Sequence, residues 1–397
     1  MDRLPVEMIR CVLTMLDLTS LRNAALSCRF LFNTFKGAEV VITSEIVYQQ
    51  IGFDVLPEAF LVNISSCLGR LSHSGESEFN IKIHEFFEIL RRGRSAPAKW
   101  YLADALPLSQ LHEKVRYLAT WFAHESLERN PCLRVAGEPD HEELCRFERA
   151  LYRFQLCCNL DRFFDQCAIW ENEQLACVYD HLVRLIAKHH DVIWGYLEVP
   201  YIYRYFSPYA QAIVGSGLEK IYALSQASNY EQWHALLSCG GNPMQVYYSL
   251  GRSLRYSDRH AFRSVPLSHM SKLDKDEAIG TPFYDDPDRG PALMWEWIYR
   301  DHEARSLVAN VDMRNHRQWA FPFWNESRLK DAGLLLNPNI PGRPHPSGEP
   351  ELDQYSTTHG LMFLEETQKD RRDIYRAGGR GWYDYHEHRS PPSRPGQ

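Results

Sequence analysis

A mainly α-helical protein is what the sequence predicts: an N-terminal three-helix module, then an irregular multi-helix domain with little sheet. Three observations carry that expectation. Apolar residues recur at steps of three and four, as in Leu144, Phe147, Leu151, Phe154 and Cys158, which places them on one face of a helix. Strand-like alternation is scarce, with Glu39–Ile42 and Trp319–Trp324 the best short exceptions. Clusters of Gly, Pro, Asn and Ser punctuate the candidate helices. The expected organisation is a small module over 1–45, a helical domain over 46–336, and a Pro/Gly-rich linker with a partly disordered tail over 337–397.

In chain order, Val6, Ile9, Val12, Leu13 and Leu16 form the first apolar stripe. Pro5 suits a first helical turn, where its missing N–H costs nothing, and Glu7 favours the positive end of the helix dipole. Asp17-Leu18 breaks the pattern. Thr19 or Ser20 can cap a second helix through Leu21, Ala24, Ala25 and Leu26, and Ser27 can cap a third carrying Phe30, Leu31, Phe32 and Phe35. From Leu4 to Phe35, 19 of 32 residues are apolar, against 44% for the whole chain. Met8, Cys11 and Met15 add apolar surface outside the stripe. Helices this short bury little against one another, and each large apolar side chain left in water forfeits roughly 1.5–3 kcal/mol. The excess is expected to face another part of this chain or a second protein.

The middle region continues with helices through Leu111–Phe122, Leu144–Cys158 and Leu175–Ile186, the second running through a charged background. Shorter helical segments are expected near His84–Arg92, Tyr201–Ile213, Leu218–Ser225 and Tyr230–Leu237. No repeat of fixed period is visible. Aromatic residues make up 13% of the chain. Trp194, Tyr196, Tyr201, Tyr203, Trp295 and Trp297 are the candidates for an aromatic surface that a client protein would use, since such side chains anchor interfaces. They are equally ordinary core fillers in a chain large enough to bury them. Asn337–Pro346 cannot hold a helix, Leu361–Arg376 can form one, and the closing Ser/Pro/Arg segment has a disordered composition.

Charge and cysteines narrow the function classes. With 44 Lys+Arg against 51 Asp+Glu, the net charge is −7 and no dominant basic block is present, which argues against nucleic acid or an anionic membrane as main partner. The apolar runs are far short of a membrane span. Asp2-Arg3 leads into an amphipathic helix rather than a signal-peptide core, so a soluble, intracellular protein is expected. None of the ten cysteines forms a C-x-x-C pair, so reduced, buried thiols are expected. His189-His190-Asp191 and His386-Glu387-His388 are the densest histidine groups, yet adjacent histidines on a helix diverge by about 100°. No H-E-x-x-H, G-x-S-x-G or phosphate-binding loop appears. Asp285–Gly290 lacks the later glutamate of a calcium loop and is expected to be a solvated acidic turn. No catalytic residue, cofactor or metal is expected.

The ordered set Leu4-Pro5, Asp17-Leu18-Thr19-Ser20-Leu21 and Ser27-Cys28-Arg29 resembles the F-box, the three-helix module that plugs substrate receptors into SCF-type cullin–RING ubiquitin ligases. The resemblance covers about a tenth of the chain. The helical middle is similar to the C-terminal regions of many uncharacterised fungal F-box proteins, whose aromatic element resembles Arg317–Asn325. The family often has a tryptophan just after Cys-Arg, where Leu31 or Phe32 stands here. Carried over by position, the resemblance implies that Leu4, Pro5, Ile9, Leu13, Leu16, Leu18, Leu21 and Cys28 contact the ligase's adaptor subunit and, through it, the cullin. It further implies a client protein held by the helical body, a cytoplasmic or nuclear location, and no catalysis by this chain. A stand-alone helical scaffold, or an enzyme of another type, whose first helices belong to its own core fits the same apolar spacing. Exposure of Leu4, Pro5, Ile9 and Leu18 distinguishes the two.

Overall fold

The first three apolar stripes become three short helices, each ended where the sequence changes character. In the computed structural model, which describes residues 4–68, 99–160, 167–187, 213–229, 231–232, 235–236, 266–300 and 314–335, these are α1 (Val6–Thr14), α2 (Leu18–Ser27) and α3 (Arg29–Lys36). Pro5 sits at the N-cap of α1. Asp17, rather than Thr19 or Ser20, caps α2: its carboxylate accepts the Ser20 N–H at 2.8 Å and the Ser20 hydroxyl at 2.6 Å. Those bonds, the hydroxyl's first, hold the Asp17 carboxyl below its usual pKa. The cap of α3 is Cys28 rather than Ser27, with its sulfur 3.5 Å from the Leu31 N–H.

Helix α4 (Glu39–Ile51) replaces the strand considered at Glu39–Ile42, and it runs unbroken across residue 45. Its β-branched start is overruled by tertiary packing: Ile42, Ile46 and Val47, at helical spacing, are sealed in the core. Next come α5 (Leu56–Leu68), the long α6 (Leu102–Arg129), α7 (His141–Asn159) and α8 (Ile169–Ala187). The Asp140/Glu143 capping box starts α7. The described remainder consists of α9 (Leu218–Gln226), α10 (Lys272–Ile279), α11 (Gly290–Tyr299), α12 (Arg314–Arg317) and α13 (Glu326–Asp331), with single 3₁₀ turns between some of them. Among the described residues there is no β-strand, and the mainly α class is observed. The other exception, Trp319–Trp324, is built around a 3₁₀ turn at Phe321–Phe323. Expected helices at His84–Arg92, Tyr201–Ile213 (Ile213 apart) and Leu361–Arg376, and most of Tyr230–Leu237, lie outside the described residues.

Helix α7 is the axis of the body, packed by α5, α6, α8 and the Phe321–Phe323 turn. One face is aromatic. Phe147 stacks on Phe323 at 4.2 Å and meets Phe122 of α6 edge-on at 5.1 Å, while Phe122 stacks on His181 of α8 at 4.1 Å. The Trp319–Trp324 segment is wholly inside, and the Trp324 indole N–H donates to the Trp319 carbonyl at 2.8 Å. Gly290 opens α11 where a Cβ would collide with the Glu326 and Trp324 backbones, so the close crossing of α11 on the start of α13 requires a glycine.

Part of the charged background expected along α7 is not at the surface. Arg146, Arg149 and Arg153 step at three and four and are all buried. Arg146 grips Asp286 through two nitrogens, at 2.7 and 2.9 Å, and Arg149 reaches the same carboxylate at 3.0 Å. Arg153 pairs with Glu58 of α5 and Glu171 of α8 at 2.9 and 3.0 Å. The Asp285–Gly290 segment is thus solvated only in part: Asp285, Pro287 and Arg289 are exposed, but the Asp286 carboxylate is 6% exposed. Burial disfavours its charge, but Arg146 and Arg149 outweigh that and hold its pKa below the ordinary carboxylate value.

Candidate docking face of the N-terminal helices

Each N-terminal helix divides its apolar residues between two faces. On α1, Ile9 and Leu13 point inward and are 2% exposed. Met8, Val12 and Met15, spaced four and three apart, share an outward face, with Met15 78% exposed. On α2, Leu18, Leu21 and Ala25 are buried against the body, while Leu26 stands out at 67%. On α3, Leu31 and Phe35 are buried and Phe30 and Phe32 are exposed. With Leu4 and Val6, eight of the fourteen exposed large hydrophobic side chains of the described residues fall between residues 4 and 32. Scattered single exposures are ordinary, but this concentration is not.

The expected adaptor contacts are thereby split. Leu4, Pro5 and Cys28 are exposed and Leu16 is half-buried. Ile9, Leu13, Leu18 and Leu21 are sealed in the chain's own core, because α1 packs on α4 and α2 packs on α6. The apolar stripe with the cleanest helical spacing satisfies the fold, and the flanking residues are left for anything outside it. Met8, Met15, Leu26 and Phe30 were absent from the expected contact set. Their signal was the surplus of apolar residues beyond what one stripe can use.

Among the aromatic residues considered for a client, Trp295 is fully buried and stacks on Tyr299 at 5.3 Å, which removes it from any surface. Trp297, two positions on, is half-buried against the core. Trp194, Tyr196, Tyr201 and Tyr203 lie outside the described residues.

Titratable groups in the interior are largely tied to structure. Arg317 pairs with Glu173 at 2.6 Å and with Asp180 at 3.1 Å, and Tyr299 donates to Glu173 at 3.0 Å. His112 of α6 and Glu148 of α7 titrate abnormally. Burial lowers His112, 3.0 Å from the Tyr152 hydroxyl, to about 4. Burial also pushes Glu148 up to about 7, against the pull of Arg116 and Arg149. An unfolded glutamate loses its proton near ~4.3. Between there and pH 7 the folded state holds a proton that the unfolded state has lost, so Glu148 costs stability as pH rises through that window. His112 acts in the opposite sense: stability rises as pH climbs from about 4 towards ~6.5. Glu148→Gln is expected to stabilise the protein by about 1–3 kcal/mol at pH 8, with the gain vanishing near pH 4. Urea melts of both proteins at pH 4, 6 and 8 check this; a gain independent of pH would contradict it.

One group has ligand-like character. Asp54, His141 and Cys145 bring one oxygen, one nitrogen and one sulfur within 4.8 Å of one another. Five cysteines of the described residues (Cys145, Cys157, Cys158, Cys167 and Cys177) are at least partly buried, whereas Cys11, Cys28 and Cys132 are exposed, against the expectation of buried thiols. All eight are free. No described helix is long and apolar enough to cross a membrane. Compared with protein-family models, curated proteins and solved structures, the chain shows no significant match.

Proposed function

We propose that this chain is a substrate-receptor subunit of an SCF-type cullin–RING ubiquitin ligase. The outward flank of α1–α3 docks the small adaptor subunit, and the helical body holds a client protein. The single observation that carries the reading is the concentration of exposed apolar side chains on the helices that bear the F-box-like residues. Leu4 is 46% exposed and Met8 54%. Burying several such half-exposed side chains against a partner recovers about half of the roughly 1.5–3 kcal/mol that full burial of each is worth. Transfer of ubiquitin then depends on proximity: holding the client beside the charged conjugating enzyme raises its effective concentration, with no catalytic group from this chain.

A second reading has its own observation. Ile9, Leu13, Leu18 and Leu21 are sealed inside, which favours a stand-alone helical protein whose first helices belong to its own core. Co-expression with the adaptor subunit separates the two. The expected result is a one-to-one complex on size exclusion that Leu4→Ala plus Pro5→Ala abolishes without changing the circular dichroism or melting temperature. A wild-type chain that never co-elutes with the adaptor would overturn the receptor reading and leave the scaffold.

A further inference from the structure

We propose that Asp54, His141 and Cys145 form a zinc-type divalent metal site, with three protein donors and one coordination position left to water or another ligand. His141 is the first residue of α7, and Cys145 lies four residues on, one turn along the same face. Asp54 comes from the short connection between α4 and α5. Three side chains from two separate elements thus converge on one point, with their donor atoms within 4.8 Å of one another.

The donor atoms are close enough to reach a shared ion. Metal–sulfur and metal–nitrogen bonds of about 2.3 and 2.1 Å at a tetrahedral angle place sulfur and nitrogen about 3.6 Å apart. The Cys145 Sγ lies 3.6 Å from the His141 Nε2 and 4.0 Å from its Nδ1, so a turn of the exposed imidazole about its ring axis is needed to aim one nitrogen at the shared ion. A thiol–imidazole hydrogen bond would account for that pair alone, but not for the carboxylate arriving at the same place. One thiolate, one imidazole and one carboxylate make a borderline-soft donor set, which suits zinc and disfavours magnesium or calcium. Two anionic donors also neutralise a divalent ion.

The carboxylate is held as metal-binding carboxylates are. The Tyr284 hydroxyl donates to the Asp54 Oδ1 at 2.9 Å, leaving Oδ2 to ligate. Tyr284 is fixed in turn by the Arg149 guanidinium, 3.8 Å above its ring. The Arg149 charge is already engaged by Asp286, which reduces its opposition to a nearby cation. Asp54 and His141 are exposed and Cys145 is buried, so an ion enters from solvent and rests against the thiol.

Cobalt(II) titration of the full-length, chelator-treated chain tests the site, because a thiolate ligand gives a near-ultraviolet charge-transfer band and tetrahedral cobalt gives intense visible bands. The expected result is both bands at one equivalent, bleached by zinc. Cys145→Ser is expected to abolish the charge-transfer band, and Asp54→Ala and His141→Ala are each expected to weaken binding at least about ten-fold. Circular dichroism of each variant confirms folding, and Cys132→Ala, at an exposed cysteine, is expected to bind as wild type does. Absence of the charge-transfer band in wild type, its survival in Cys145→Ser, or unchanged affinity in either folded Asp54→Ala or His141→Ala would overturn the proposal.

Discussion

Arg328→Ala is expected to destabilise the folded chain by about 3–5 kcal/mol, the range for removing one partner of a buried, hydrogen-bonded ion pair. Arg328 opens no site, yet it joins three elements. Its Nε and Nη2 each reach the Glu143 carboxylate at 2.8 Å, and its remaining N–H groups bond the carbonyls of Leu133 at 3.0 Å, Gly137 at 2.8 Å and Glu138 at 2.7 Å. Glu143 is fully buried and also accepts the Asn325 N–H at 3.1 Å. Alanine would leave that carboxylate and three carbonyls short of donors, each a desolvation cost of about 1–3 kcal/mol or more. Lysine keeps the charge but not the planar fork, so Arg328→Lys should recover less than half of the loss. Arg328→Met with Glu143→Gln should be milder than the two single losses added, because neither buried charge is left alone. Denaturant midpoints of wild type, Arg328→Ala, Arg328→Lys, the double variant and its two single variants measure this. A loss below about 1 kcal/mol for Arg328→Ala would show that water replaces the arginine.

That network marks the boundary of what was legible in the sequence. Periodicity reports which residues share a helix face. It therefore placed α7 correctly from Leu144, Phe147, Leu151 and Phe154, and the Asp140/Glu143 capping box was equally readable. It cannot report what a charged face meets. Arg146, Arg149 and Arg153 form as regular a stripe as the apolar one, but two of their three carboxylate partners, Glu58 and Asp286, lie 95 to 140 residues away in sequence. Local propensity failed where packing outvoted it, at Glu39–Ile42. No metal site was expected from the sequence: His141 and Cys145 stand one turn apart, but only the fold brings Asp54 of the α4–α5 connection to the start of α7.

The docking face was half legible for the same reason. The F-box-like residues lie on the helices that carry the exposed apolar surplus, but the choice of inward and outward side chains depends on where α4 and α6 lie. That dependence produces the second large effect. Val12→Lys with Met15→Lys is expected to weaken adaptor association at least about 30-fold, since interface anchors that lose apolar contact cost about 2 kcal/mol or more. Both residues are exposed, so the same change should move unfolding free energy by no more than about 0.5 kcal/mol each. Ile9→Ala and Leu18→Ala should do the reverse: a loss of about 2–5 kcal/mol in stability from the emptied core, with adaptor affinity of the remaining folded fraction little changed. Calorimetric affinity beside denaturant melts for all three proteins resolves the two columns. If the lysine pair leaves affinity intact, the outward stripe of α1 is not the contact. If Ile9→Ala abolishes affinity in protein that is still folded, the buried stripe must open to the adaptor, and the N-terminal helices would have to leave α4 and α6 on binding.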